Sequence, residues 1–484
     1  SPMSILLLIS ILLASVISMI ITKKRFVIET LSLITSSITC ITAFLTALQV
    51  SSVGTLTFFT FFSVDALGAI VLMIIGSIGL ATTIYSIAYL REETKKQIIG
   101  FTRVKQYFVL LQIFLFAMYL AITAGSPIFA WIAIEATTLS TAFLISFYNK
   151  PSAIEGAWKY LIINSVGLLL GFFGTLLYFT AVASIGEGGF VSWQTLRDNA
   201  GNLSPLIAKI AFVFVLIGYG TKVGFAPMHT WLPDAHSKAP APISSLLSGV
   251  LLTVAFSVIL RFKVLTDMAI SVSFSQHLLL GFGLFSIIIA TLIILTQKNY
   301  KRLIAYSSIE NMGVIALGFG FGGLGVFASF LHMIYNAFAK SALFLTAGTI
   351  FLKYSSTKIA SVRGVLQALP FTGVLFFALF LAISGIPPFG IFLTKLFIFS
   401  AGIDDHPLVA LTALLFITIL FVGFLKHIAG MTFGEKPDEV ERGEIHIWLI
   451  LPPLFLFLVV FFLSFFLPPF LRLLLDSAVL HYSL

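Results

Sequence analysis

The chain of 484 residues is 59% hydrophobic and only 10% charged, with a mean hydropathy of +1.09, a balance that excludes a soluble globular protein, whose surface needs far more polar cover. Its formal net charge of +9 does not mark nucleic-acid binding, because the positive residues fall in short loops between apolar runs and report topology. The single cysteine, Cys40, sits in an apolar helix, which excludes an internal disulfide and any iron-sulfur cluster held by this chain alone.

Apolar runs of about 20 residues, the length that crosses roughly 30 Å of hydrocarbon, recur from end to end. They predict an all-α polytopic membrane protein of about 14 transmembrane helices, at 4–22, 27–49, 65–90, 107–125, 127–148, 158–183, 205–229, 242–262, 273–297, 301–320, 323–352, 367–399, 407–429 and 444–474. No polar segment between them is long enough for an extramembrane domain. The first run has no basic leader and is followed at once by Lys23, Lys24 and Arg25, so it reads as a retained helix and not as a signal peptide. Most of the 28 lysines and arginines lie after odd-numbered helices. Only Arg197, Lys209, Arg261, Lys263 and Arg472 follow even-numbered ones, which predicts both termini outside the cell.

Three basic residues belong to neither set: Lys222, Lys340 and Lys395 lie in apolar surroundings. A charge in hydrocarbon is costly and marks a functional position. In chain order, the fifth predicted helix carries Glu135 in WIAIEATTLSTAF, beside Thr137, Thr138 and Ser140. Glu135 is read either as a satisfied glutamate pinning two helices or as the partner of Lys222, each stabilising the other's charged form. The seventh helix breaks beside that lysine, where Gly218, Gly220, Gly224 and Pro227 crowd the sequence GYGTKVGFAPMHTWLPDAHSKAPAP. Backbone groups freed at such a break are tolerated only inside protein or along a hydrated cavity. His229, Asp234 and His236 follow, either as a proton entrance or as solvated loop residues. Glu310 and Asn311, near the start of the tenth helix, carry no argument alone. In the eleventh helix His332, Asn336 and Lys340 recur at four-residue spacing and share one face, the mark of a wet interior or of hydrogen bonds between helices.

A second break, in ISGIPPFGIFLTK, places Gly385, Pro387, Pro388 and Gly390 before Lys395 in the twelfth helix. Interruptions at corresponding places mark a repeat enclosing a midplane ion site. The predicted units are 1–105 with the first three helices, 106–264 as a first five-helix repeat forming an inward half-channel, 265–430 as a second forming an outward one, and 431–484 with the last helix. An odd number of helices per repeat makes the two inverted. No metal-ligand spacing, phosphate loop or dinucleotide fingerprint is present, so the energy for transport must come from an ion gradient or a partner.

The segments WIAIEATTLSTAFLISFY, GTKVGFAPMHTWLPDAHSKAPAPISSLLSGVLL, KRLIAYSSIENMG, AFAKSALFLTAG and SGIPPFGIFLTK resemble the antiporter-like subunits shared by respiratory complex I, Mrp sodium/proton antiporters and membrane-bound group 4 hydrogenases. IEATTL and LIAYSSIENMG are most similar to the hydrogenase and formate hydrogenlyase branch. The resemblance implies fourteen helices with two inverted five-helix repeats joined by a central line of charged residues. By position it implies roles for Glu135, Lys222, Lys340 and Lys395, which together with His229 and His332 from the reading of the residues are the ion-translocation candidates. It further implies a proton- or sodium-translocating subunit of a membrane oxidoreductase, in the plasma membrane of an archaeon or bacterium, beside antiporter-like neighbours and peripheral redox subunits. Iron-sulfur clusters and a nickel-iron site are then expected in partner subunits, with no cofactor in this chain. An Mrp-type antiporter subunit without a redox arm and a non-conducting scaffold remain as alternatives. Four positions depart from the family pattern. Thr253 stands where many members carry lysine or histidine, Asn311 and Asn336 where histidine is common, and Lys395 where the hydrogenase branch has glutamate.

Overall fold

The computed structural model describes residues 3–182 and 190–483; residues 183–189, within the expected first repeat, lie outside the described residues, as do the last residue and the first two. Twelve described helices are long and apolar enough to cross a membrane. Two of the fourteen expected spans miss that set for physical reasons. Leu324–Tyr354 runs for 31 residues but is diluted by His332, Asn336 and Lys340. The expected twelfth is divided by its break into two shorter apolar helices, Pro370–Ser384 and Gly390–Gly402.

Several helices begin where the sequence supplies a cap. Asp65 accepts the Gly68 N–H at 2.8 Å and opens Ala66–Lys95. Ser126 and Pro127 open Pro127–Ile145 and separate it from Phe101–Thr123. Asn299 accepts the Arg302 N–H at 3.1 Å and opens Tyr300–Phe321. The loop before Asp65 forms a small antiparallel hairpin, Leu56–Phe58 with Phe62–Val64, in which Leu56 faces Val64.

Polarity is sorted inward. The most apolar helices, Ser4–Ile21 and Pro407–Thr432, are mostly exposed, whereas Tyr300–Phe321, the least apolar of the twelve, is buried along its length except at Arg302. Polar side chains thereby avoid lipid and find partners on neighbouring helices. Tyr300–Phe321 shares the core with Ala241–Ala269, Leu324–Tyr354 and most of Ala66–Lys95. Ala241–Ala269 contains one π-helical turn at Leu247–Leu251, where a Cβ on Gly249 would meet Ser341 Oγ at 1.9 Å.

Both breaks are present, with a correction to their make-up. The first half-helix, Pro205–Val223, ends at Gly224 in the left-handed region, φ 90°, and the chain turns through Pro227 before Trp231–Lys238. Gly218 and Gly220 are helical and do not form the break. Gly218 is a crossing point instead: a Cβ there would lie 2.3 Å from the backbone N of Gly171 on Pro151–Tyr178, so glycine lets two backbones touch. Gly220 packs against the Phe225 ring. At the second break Gly385 takes the left-handed role, φ 81°. Pro387 and Pro388 lie in the turn, and Gly390 opens the next helix where the Tyr335 ring leaves no room for a Cβ.

The expected last helix also divides. Ile447–Phe465 ends before Pro468, and a separate helix, Pro469–Tyr482, follows. Its Tyr482 hydroxyl donates to Asp65 Oδ2 at 2.5 Å, while Arg261 donates to both Asp65 oxygens at 3.0 and 3.2 Å. One capping carboxylate thus joins three distant segments.

Candidate functional site

Lys222 occupies the last turn of its half-helix, where the carbonyl ends of the helix favour a cation. It is wholly buried. Its ammonium donates to Thr138 Oγ1 at 2.5 Å and to Tyr160 Oη at 2.8 Å, and lies 4.6 Å from the centre of the Tyr160 ring. The Tyr160 ring meets Trp231 edge-on at 5.1 Å, and the Trp231 indole donates to the Thr221 carbonyl at 2.7 Å. That bond reaches back over the break and fixes the second half-helix against the turn bearing Lys222.

The direct Glu135–Lys222 ion pair is not formed. Glu135 is half-buried and accepts from Ser165 Oγ at 3.2 Å, and its Oε2 is buried with no protein partner among the described residues. Thr138, three residues on along the same helix, stands at the lysine. A hydroxyl both donates and accepts, so Thr138 and Tyr160 can hold either an ammonium or a neutral amine. The centre tolerates both protonation states.

The second centre is assembled around Tyr300–Phe321. His332, Asn336 and Lys340 do lie along one face of Leu324–Tyr354, all buried. Lys340 donates to Ser307 Oγ. His332 is held at both nitrogens, Nδ1 2.8 Å from Thr394 Oγ1 and Nε2 2.9 Å from Asn311 Oδ1, and Asn311 Nδ2 donates to the Ser307 carbonyl at 2.9 Å. Lys395, the residue after Thr394, pairs with Glu310 at 3.2 Å. Ser307, Glu310, Lys395 and Ser384 line a cavity of about 10 Å³, room for roughly one water. Ser307 therefore touches the station of Lys340 and the cavity of the Glu310–Lys395 pair.

Two departures from the family pattern acquire local explanations. Asn311 is the partner of His332. Asn336 lies between His332 and Lys340 with its Oδ1 buried and unpartnered among the described residues, as expected of a group served by water. Thr253 instead turns its hydroxyl onto the Gly249 carbonyl at 3.4 Å and makes no link between the two centres.

The remaining candidates separate. His229 packs near Tyr306, ring centres 6.2 Å apart, with Nδ1 unpartnered among the described residues. Asp234 belongs to a surface cluster with Arg302 and Lys159. His236 is wholly buried. Lys395 follows Gly385 within the second half-helix, whereas Lys222 precedes Gly224 in the first. Tyr160 and Ser307 are site residues that sequence reasoning does not name, Thr138 is named there only as a neighbour of Glu135, and Glu310 is named without a role. Only Glu310 had a signal, since a carboxylate three residues beyond Ser307 shares its helical face.

The family described as NADH:quinone oxidoreductase/Mrp antiporter, TM, matches residues 124–421. The chain belongs to this family. Among antiporter-family relatives, it is 38% identical over 410 residues to the hydrogenase-4 component F homolog of Methylacidiphilum infernorum (isolate V4), covering 84% of this chain and 85% of that one. It also superposes, at 22% identity and a TM-score of 0.89, on a chain of the membrane-bound sulfane sulfur reductase, an archaeal respiratory membrane complex, covering 100% and 98% of the two chains. A chain of the Mrp complex from Dietzia sp. DQ12-45-1b gives 19% identity and a TM-score of 0.85 over 99% and 96%. The match contains both broken helices and every site residue named above.

Proposed function

We propose that this chain is a proton- or sodium-translocating, antiporter-like subunit of a multisubunit membrane oxidoreductase of the hydrogenase-4 or complex I type. It would sit in the plasma membrane with both termini outside. Redox chemistry, with its iron-sulfur and nickel-iron centres, belongs to partner subunits, and this chain responds through the charge states of its buried groups. The units 106–264 and 265–430 serve as inward and outward half-channels, with Glu135 and Lys222 in the first and His332, Lys340 and Lys395 in the second. The observation that carries the reading is the pair of wholly buried lysines, Lys222 and Lys340, each held by hydroxyls that accept from an ammonium and donate to an amine.

The test is ion pumping by the assembled complex in vesicles. Lys222→Met and Glu135→Gln are expected to abolish gradient formation, a loss of roughly a hundredfold or more, with subunit assembly retained. A full gradient from assembled Lys222→Met complex would leave only a scaffold role. Co-purifying subunits with cysteine-bound clusters identify the redox complex; Mrp-type partners without them would identify an antiporter.

A further inference from the structure

Glu93 lies outside both five-helix units, in the last turn of Ala66–Lys95, and is wholly buried. The Tyr148 hydroxyl donates to its Oε1 and the Tyr89 hydroxyl also faces the carboxylate, while Oε2 is buried with no donor at hydrogen-bond distance among the described residues. A desolvated carboxylate oxygen without a donor is costly and calls for water or a proton. Toward solvent, Lys96 interacts electrostatically with Glu93 and lines a surface cavity of about 290 Å³ with Glu92, Lys353, Glu439 and Glu441. Toward the interior, Lys301 interacts with the same carboxylate and donates at 2.6 Å to the Ala239 carbonyl, which closes the second half of the first broken helix.

His236 lies three residues before that carbonyl. Its ring stacks on Phe344, centres 4.8 Å apart and planes 13° apart, and both ring nitrogens are buried and unpartnered among the described residues. Lys301 and Lys340 both interact electrostatically with it, and Phe344 is one helical turn beyond Lys340. Glu93 Oε2, His236 Nδ1 and Nε2, and Asn336 Oδ1 are thus buried polar atoms with unfilled hydrogen-bonding capacity among the described residues, and Lys301 interacts with both Glu93 and His236, as Lys340 does with His236.

We propose that Glu93 is the entry residue of a second proton branch, which leads from the basic-rich face through His236 to Lys340 without passing Glu135 or Lys222. A proton from the cavity is relayed by water past Lys96 to the Glu93 carboxylate, passed by water to a nitrogen of His236, and delivered to the neutral amine of Lys340; each carrier returns to its starting form. The branch rests on the reading of Lys340 as a transport station.

The test uses the whole complex in vesicles with a proton-sensitive dye, alongside redox turnover and assembly. Glu93→Gln keeps the shape and the Tyr148 contact, and is expected to slow proton uptake per turnover by roughly tenfold or more, with Glu93→Asp restoring most of it. His236→Gln, which leaves Glu93 untouched, is expected to show the same loss and covers the case in which Glu93→Gln does not assemble. Wild-type uptake in either assembled variant overturns the branch. If Lys340→Met is silent as well, the transport reading itself fails; if Lys340→Met is dead while the other two pump normally, only the branch is lost.

Discussion

At the scale of single residues, the Glu310–Lys395 pair makes a prediction opposite to substitution by family resemblance alone. Lys395→Glu would set two carboxylates against each other at a 3.2 Å contact, so this exchange and Glu310→Lys are each expected to lower pumping by roughly tenfold. The double exchange, which restores opposite charges, should recover a large part of it. If pumping in the double exchange is no better than in the singles, the pair does not act through its charges. The residues that anchor the two centres differ in how visible they are. Lys222, Lys340, Lys395 and Glu135 can be found in the sequence because a charge inside an apolar run needs no fold to stand out. Thr138, Tyr160 and Ser307 cannot, because hydroxyls are common in membrane helices and theirs matter only through which lysine crosses them.

At the scale of helices, glycine has two different uses that composition does not distinguish. Gly224 and Gly385 end half-helices in a conformation that disfavours side chains, whereas Gly218 lets one helix lie against Gly171 of another. Gly218→Val is therefore expected to cost about 1–3 kcal/mol through overpacking, read as a lower unfolding midpoint of the solubilised chain. Gly281→Ala, on a helix position with nothing within 4 Å, should not lower the midpoint, because alanine is the better helix former. Equal midpoints for both variants would show that the crossing has room to relax. Both broken helices were legible because glycine and proline cluster there. The division of labour between Gly218 and Gly224, and the placement of Lys222 before its break and Lys395 after its own, depend on helix contacts and local dihedral angles that no one-dimensional pattern records.

At the scale of the whole molecule, Asp65 links the hairpin loop, Arg261 and the terminal helix Pro469–Tyr482. Burial opposes its charge, but the Arg261 guanidinium, the Tyr482 hydroxyl and the Gly68 N–H outweigh burial and hold the carboxyl below its usual range. Burial also holds His481 below the usual imidazole range. Because both folded-state values are depressed, docking is strongest above the unfolded values and weakens as pH falls. The His481 contribution starts to be lost below about pH 6.5 and the Asp65 contribution below about pH 3.9. Hydrogen exchange across 469–482 should show two steps, with His481→Gln removing the first and Asp65→Asn loosening the helix even at neutral pH. A single step in the wild-type chain would exclude one of the two groups. The inward sorting of polarity also bears on how such a chain enters a membrane. Leu324–Tyr354 is poorly suited to partition into lipid alone, yet it follows Tyr300–Phe321 after only the two glycines Gly322 and Gly323, both at positive φ. Lys340 finds its hydroxyl on that preceding helix, so the two can leave the insertion machinery as one hairpin, with the lysine already solvated by its neighbour.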